Sequence, residues 1–299
     1  MENRGSVSSK GPFNRSTSKF WIVVAMAAVS TAAILIKLSS SHPLAIAAWR
    51  LLIADAILLP FFVWSIRKER HTIGRKRLLQ LGFVGLALAL HFAMWIWSFQ
   101  MTKVSSSVVL VTTHPLFVAV ISVSFFKERL NLKAVSGMII ALVGSFLLIA
   151  GDLTISRETL TGNLLALGGA VMAGIYILAG SRFRKTVSLP SYAFIVYLWA
   201  ALFLLVAIFV GGVRFLSDSP TEYLILFGLA VGPMLAGHTI YNWALKYVSP
   251  TFVSVSLLGE PVGSTLLAIL ILSEMPGAGA IVGGPVVLIG IYLVARNTG

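Results

Sequence analysis

Few residues of this chain could do chemistry inside its long apolar runs. Of ten acidic residues, eight lie in hydrophilic stretches, and only Asp55 and Glu260 interrupt apolar ones. His91, His114 and His238 interrupt them too. An ionisable group in hydrocarbon costs about 3 kcal/mol on insertion scales and more by simulation, so it is expected to face a cavity or a partner. Trp95 follows His91 by one helical turn on the same face, Asn242 follows His238 at i+4, and Tyr176 lies deep in another apolar run. Imidazoles, an amide, a carboxylate and aromatic walls suit a small amphipathic solute, amino acids included. The candidate binding set is therefore His91, Trp95, His114, Tyr176, His238, Asn242 and Glu260. Glu260 has no partner nearby in sequence and is expected to carry a proton or to bind a substrate ammonium. Asp55 follows Arg50 by five positions and is expected to pair with it.

Two dipeptides reveal how these residues are positioned: His114-Pro115 and Glu260-Pro261, each in the middle of an apolar run. Pro115 and Pro261 lie 146 positions apart, as do Glu128 and Glu274, Gly137 and Gly283, and Gly144 and Gly290. Lys37 and Arg184, Pro43 and Pro190, Gly85 and Gly232, and His91 and His238 share an offset of 147. Shared offsets across such different residue types indicate an internal duplication. Proline cannot donate to the carbonyl four residues back, so Val111 and Leu257 are expected to carry freed carbonyls.

The composition gives these runs their setting. Of the 299 residues, 58% are hydrophobic and 11% charged, against roughly a quarter charged in a soluble domain. Runs of about 18 residues or more recur, each long enough to cross roughly 30 Å of hydrocarbon. The expected fold class is an all-α polytopic membrane protein with ten transmembrane helices in two inverted-topology repeats of five. The spans are read at about Phe20–Leu38, Leu44–Ile66, Leu78–Phe99, Val104–Phe126, Ala134–Ala150, Leu160–Gly180, Tyr192–Val210, Tyr223–Leu245, Phe252–Leu272 and Ala278–Ala295. Residues 1–18 read as a disordered cytoplasmic tail, 19–151 as the first repeat and 160–296 as the second. Because five is odd, the second repeat enters the membrane from the opposite side, a plan that puts a substrate site near the midplane. His114 and Glu260 would then each lie roughly 15 Å deep. With the N-terminus inside, 18 of the 23 Lys and Arg fall on the cytoplasmic side, which favours both ends inside.

The net charge of +13 is thus a topology signal rather than a nucleic-acid one. There is no cysteine, no nucleotide-binding G-x-x-x-x-G-K-[ST], no H-E-x-x-H and no G-x-S-x-G, so neither a metal, a cofactor nor an enzymatic activity is expected. The glycine pairs Gly137/Gly144 and Gly283/Gly290 each share a helix face, which reads as close scaffold packing in a monomer rather than a dimer contact. Trp21, Trp64 and Trp97 read as interfacial anchors.

Ten spans in two inverted halves, a proline in spans 4 and 9, and the following F-K-E-R-L and L-S-E-M-P stretches resemble the drug/metabolite transporter superfamily. The EamA-type repeat is similar over about Phe20–Ala295. Lys127, Glu128 and Arg129 match its usual turn after span 4, whereas Met275 departs from it in the second copy. Within the superfamily the chain resembles the YddG-type amino-acid exporters, with His91 and His114 at two positions that are aromatic there. The resemblance implies a basket-like cavity lined by spans 3, 4, 8 and 9, with parts of 1 and 6. The expected function is secondary export of amino acids or related small metabolites across a bacterial inner membrane, by alternating access. Multidrug or polyamine efflux is the alternative, and a membrane enzyme acting on lipid-linked substrates is a distant third. The expected partners are a small-molecule substrate and the bilayer.

Overall fold

The computed structural model describes residues 15–69, 73–149, 156–273 and 278–297. The described residues are helical, with no strand among them. In chain order the helices are α1 (Arg15–Leu38), α2 (Pro43–Glu69), α3 (Arg75–Ser98), α4 (Val104–Val111), α5 (His114–Phe126), α6 (Leu132–Leu148) and α7 (Arg157–Phe183). They continue with α8 (Leu189–Val210), α9 (Pro220–Leu229), a π-helical stretch over Ala230–Thr239, α10 (Ile240–Ala244) and α11 (Pro250–Ser256). A 3-10 turn over Leu257–Gly259 leads into α12 (Glu260–Leu272), and α13 (Ala278–Asn297) closes the chain.

Among the described residues, nine helical segments are long and apolar enough to cross a membrane; a tenth, α6, is a shorter apolar helix of 17 residues. Span 4 is therefore α4 with α5, span 8 is α9 through α10, and span 9 is α11 through α12. The expected tail at 1–14, most of the central linker, and Glu274 with Met275 lie outside the described residues. Arg15–Ser18, expected in the tail, open α1 instead.

Local chemistry sets the helix ends. Ser188 and Ser249 cap α8 and α11, their hydroxyls accepting from Ser191 and Phe252, with Pro190 and Pro250 in the first turn. Ser156 and Thr159 form a reciprocal capping box at α7, and Asn131 caps α6. At the other ends of the matched helices α5 and α12, Lys127 and Ser273 both stand at φ 54°, in the left-handed region. They are 146 positions apart, so the backbone repeats with the offset read from the side chains. Hydrogen bonds tie the ends together in up-and-down order. Lys19 Nζ donates to the Ala295 carbonyl at 2.6 Å and Asn131 Nδ2 to that of Asn297 at 3.1 Å. At the opposite end, Thr102 Oγ1 donates to Asn163 Oδ1 at 2.8 Å.

Large apolar side chains such as Phe83 and Phe209 are 73% and 88% exposed, as a lipid-facing surface requires. Trp64, expected as an anchor, is 64% exposed and lies under the Lys68 ammonium at 4.0 Å.

The two halves meet most closely where spans 5 and 10, α6 and α13, run together. Both glycine pairs face this seam. A Cβ on Gly144 would lie 2.6 Å from the Val287 nitrogen, and one on Gly290 2.4 Å from the Ala141 nitrogen. Backbone atoms thus fill the space a side chain would need. Lipid supplies no hydrophobic drive between helices, so this approach holds by van der Waals contact. Gly144→Leu and Gly290→Leu are each expected to destabilise the protein by about 2 kcal/mol or more. Gly284→Ala, whose new Cβ meets only Val262 Cγ1 at 3.8 Å, is expected to leave stability unchanged. Thermal unfolding in detergent, followed by size-exclusion chromatography, checks the contrast.

Candidate functional site

The two dipeptides mark two helix breaks. His114 and Glu260 each begin a 13-residue half-helix, with Pro115 and Pro261 in the first turn, where a missing N–H costs nothing. The proline rings therefore do not kink continuous helices. This changes the fate of one expected free carbonyl, because the Glu260 N–H takes that of Leu257 in the 3-10 turn. In span 4, Thr112 Oγ1 donates to the carbonyls of Val108 and Val109 at 2.9 and 3.0 Å, and Thr113 Oγ1 to that of Leu110 at 2.7 Å. Local donors thus reach carbonyls beside both breaks.

Between the breaks lies a cavity. His91, Trp95, His114, Tyr176, His238, Asn242 and Glu260 all line it, from five spans and both halves. His91 Nδ1 is 2.9 Å from the Gly169 carbonyl oxygen. A carbonyl only accepts, so the proton sits on Nδ1 and Nε2 is the atom left for the cavity. The His91 ring stacks on Trp95 at 5.8 Å and meets His238 edge-on at 6.2 Å. Asn242 Nδ2 donates to the hydroxyls of Tyr176 and, at 3.3 Å, Tyr197. Tyr197 is itself bonded to Thr239 Oγ1 at 3.0 Å. This chain fixes the amide from behind. Trp95 Nε1, His114 Nδ1 and Glu260 Oε1 are buried with no hydrogen-bond partner among the described residues. Three polar atoms of cavity-lining residues can thus take up a solute's donors and acceptors.

The sequence reading missed several contributors. The π-helical stretch carries His238 and sets its direction; Pro233 inside it, with Gly232 and Gly237 nearby, was the available signal. Thr112, Tyr241 and Pro233 also line the cavity. The expected ion pair between Arg50 and Asp55 is absent. Neither the Arg50 guanidinium nor the Asp55 carboxylate has a hydrogen-bond partner among the described residues. Five helical steps rotate a side chain by about 140°, so the two leave α2 on different sides. Arg50 instead covers the Phe92 ring at 4.1 Å.

At each end of the bundle a carboxylate reaches from one half of the chain to the other. At one end Glu222 accepts from the Ser40 and Ser41 amides at 3.0 and 3.3 Å and from the Ser39 and Ser40 hydroxyls. Trp49 supports this end, donating to the Phe215 carbonyl at 3.0 Å and stacking on that ring at 4.7 Å. His42 borders it, where burial lowers its pKa below the usual 6.5. Its Nδ1 accepts the Leu44 N–H at 3.2 Å. At the other end Glu69 accepts from the Ser188 amide and hydroxyl at 2.9 and 3.0 Å, and Thr251 Oγ1 donates to Glu128 at 2.8 Å.

Comparison with known proteins agrees with this architecture. The profile of the EamA-like transporter family matches residues 17–150 and again 160–296. The uncharacterized transporter YdfC of Bacillus subtilis is 26% identical over 82% of this chain and 79% of its own length. The threonine/homoserine exporter RhtA of Escherichia coli K12 is 32% identical over 54% of this chain and 52% of its own. A probable terminal-alkyne amino-acid exporter of Streptantibioticus cattleyicolor is 25% identical over 68% and 67%. One solved crystal structure superposes with a TM-score of 0.78 at 20% identity, covering 95% of this chain and 98% of that one, which shows the fold. With ten apolar helical segments among the described residues, paired breaks and both halves matching one profile, the chain belongs to the EamA-like transporter family and is a transporter, not an enzyme.

Proposed function

We propose that this transporter exports amino acids or closely related small metabolites across a bacterial inner membrane. It works as a secondary transporter, a monomer with both chain ends cytoplasmic. The observation that carries this reading is the convergence of seven polar and aromatic side chains from both halves on one cavity between two helix breaks. Each would contact substrate: His91 through Nε2, His114 through Nδ1, Asn242 and Tyr176 through the amide and its phenol partner, Trp95 and His238 through their rings. Glu260 takes the ammonium or a proton. The named exporters of threonine and homoserine and of an alkyne amino acid support the substrate class. The count of 18 cytoplasmic cations supports the orientation. Using both glycine faces inside the molecule supports the monomer.

Alternating access then requires one clasp to open while the other holds. Glu222 with Ser39–Ser41 guards one mouth, and Glu69 with Ser188 and Glu128 with Thr251 guard the other. A hydrogen bond to a charged group contributes about 1.5–3 kcal/mol, enough to move a near-balanced equilibrium tenfold or more.

Purified protein in liposomes should take up radiolabelled threonine saturably, and His91→Ala and His114→Ala should each lower that uptake at least tenfold. Absence of uptake for every amino acid in a broad panel would sink the reading. If transport responds to a pH gradient, Glu260→Gln should remove that response; a retained response would assign proton carriage elsewhere. The mouths can be read separately because the chain has no cysteine. With a single cysteine at Ala173 on the cavity wall, Glu222→Gln should raise labelling by an impermeant maleimide from the Ser39–Ser41 side by about tenfold. Glu69→Gln should do so from the opposite side. Equal labelling from both sides in both variants would dismiss the clasps as gates.

A further inference from the structure

Arg50 is the side chain the substrate-contact set leaves unexplained. It is fully buried in the middle of the protein, 0% exposed, on span 2. None of its three guanidinium nitrogens has a hydrogen-bond partner among the described residues. A guanidinium does not shed its proton in a protein, so this is a permanent cation inside an apolar bundle. Such a charge needs compensation. The face of Phe92 at 4.1 Å gives part of it. Phe92 in turn meets the His238 ring edge-on at 5.2 Å, so the guanidinium stands one aromatic ring behind the cavity wall. Its charge acts on Glu260, Tyr197, His91 and His238, three of them cavity residues. Asp55, on the same helix, makes no hydrogen bond to it.

The cavity therefore has one carboxylate in its lining and one fixed cation just behind it. We propose that Arg50 balances Glu260, so that the cavity as a whole carries no net charge and selects solutes that also carry none, zwitterions foremost. This rests on the transport reading of the same site and adds its selection rule. A zwitterion can set its ammonium toward Glu260 and its carboxylate toward the Arg50 side and leave the total at zero. A solute with net positive charge puts an uncompensated cation beside the guanidinium, and one with net negative charge puts an uncompensated anion beside Glu260. In a low-dielectric enclosure either imbalance is costly. Arg50 does not touch the solute. It acts across the Phe92–His238 layer and through the charge of Glu260, as a positioning residue.

The test compares uptake into liposomes of net-neutral, net-positive and net-negative solutes. Each class includes amino acids and other compounds: threonine and betaine, lysine and putrescine, glutamate and succinate. The wild type should favour the neutral class. Arg50→Met leaves the cavity negative and should shift the lysine-to-threonine uptake ratio about tenfold toward lysine. Glu260→Gln leaves the cavity positive and should shift the glutamate-to-threonine ratio toward glutamate. The double variant Arg50→Met/Glu260→Gln restores zero charge and should return to neutral preference, and Arg50→Lys should keep it. A merely structural arginine would change total uptake but not these ratios. Unchanged ratios in Arg50→Met, in protein that remains monodisperse, would overturn the proposal while leaving amino-acid export standing. So would a wild type that moves lysine as well as threonine. Neutral preference shown by betaine but by no amino acid would uphold the charge rule and overturn the amino-acid reading. No uptake in any class would overturn both.

Discussion

Inside the hydrocarbon layer a backbone amide or carbonyl has no water to turn to, and that constraint governs this molecule. A helix can stop there only if its loose ends are satisfied at once. Spans 4 and 9 both stop there, and both draw hydrogen-bond donors from within one turn. Thr112 and Thr113 fold their hydroxyls back on span 4. In span 9 the Glu260 amide closes a 3-10 turn onto Leu257. Proline comes next in both because the first turn of a new helix is where its missing N–H does no harm. The breaks turn His114 and Glu260 into the opening residues of two half-helices at matched positions. Everything else about the site follows from having two such openings face one cavity.

The general plan was legible in the sequence because the offsets recur in residues with different physical duties. Pro115 and Pro261 mark the breaks, Gly137 and Gly283 with Gly144 and Gly290 mark the seam, and His91 and His238 mark the cavity. A single shared offset explains all of them. The cavity lining was legible for a similar reason: a polar side chain deep in an apolar run must go somewhere polar. Asn242 and Trp95 followed from helical spacing alone. The π-helical stretch was hinted at only by Pro233 and its neighbouring glycines, since ten residues of widened helix depend on tertiary packing as well as on local sequence. Arg50 misled for a related reason. Its nearest carboxylate in sequence was Asp55, but helical rotation separates the two, and the ring it covers comes from another span.

The carboxylates at the two mouths illustrate the same limit. Glu222 and Glu69 read as ordinary loop charges, and only the packed structure brings them onto serines of the opposite half. Each carboxylate is held by amide and hydroxyl hydrogen bonds, which are directional and lost together when the two sides part. Long-range charge attraction would persist as a mouth widened; a hydrogen-bonded clasp does not. A mouth held this way would have a well-defined closed state and little to resist it once open, which suits the proposed exchange in which the two ends take turns.

Duplication supplies matched geometry, but a substrate with two different ends needs unmatched chemistry. The matched positions of this chain have diverged accordingly. Position by position, an imidazole at His114 faces a carboxylate at Glu260, while the breaks that hold them remain alike. His91 and His238 keep the same residue type but not the same role: His91 is tied to the Gly169 carbonyl, and His238 is set among the rings of Phe92, His91 and Tyr176. Arg50 has no cationic counterpart in the second half, where the offset of 147 lands on Tyr197. That phenol belongs to the hydrogen-bond chain fixing Asn242, so where one half places a charge behind the cavity wall, the other places a neutral scaffold. On the proposed exchange, the symmetric parts would carry the motion and the asymmetric parts recognition. A substitution at a glycine or a proline is expected to act on folding and exchange, whereas one at Arg50 or Glu260 acts on which solute is accepted.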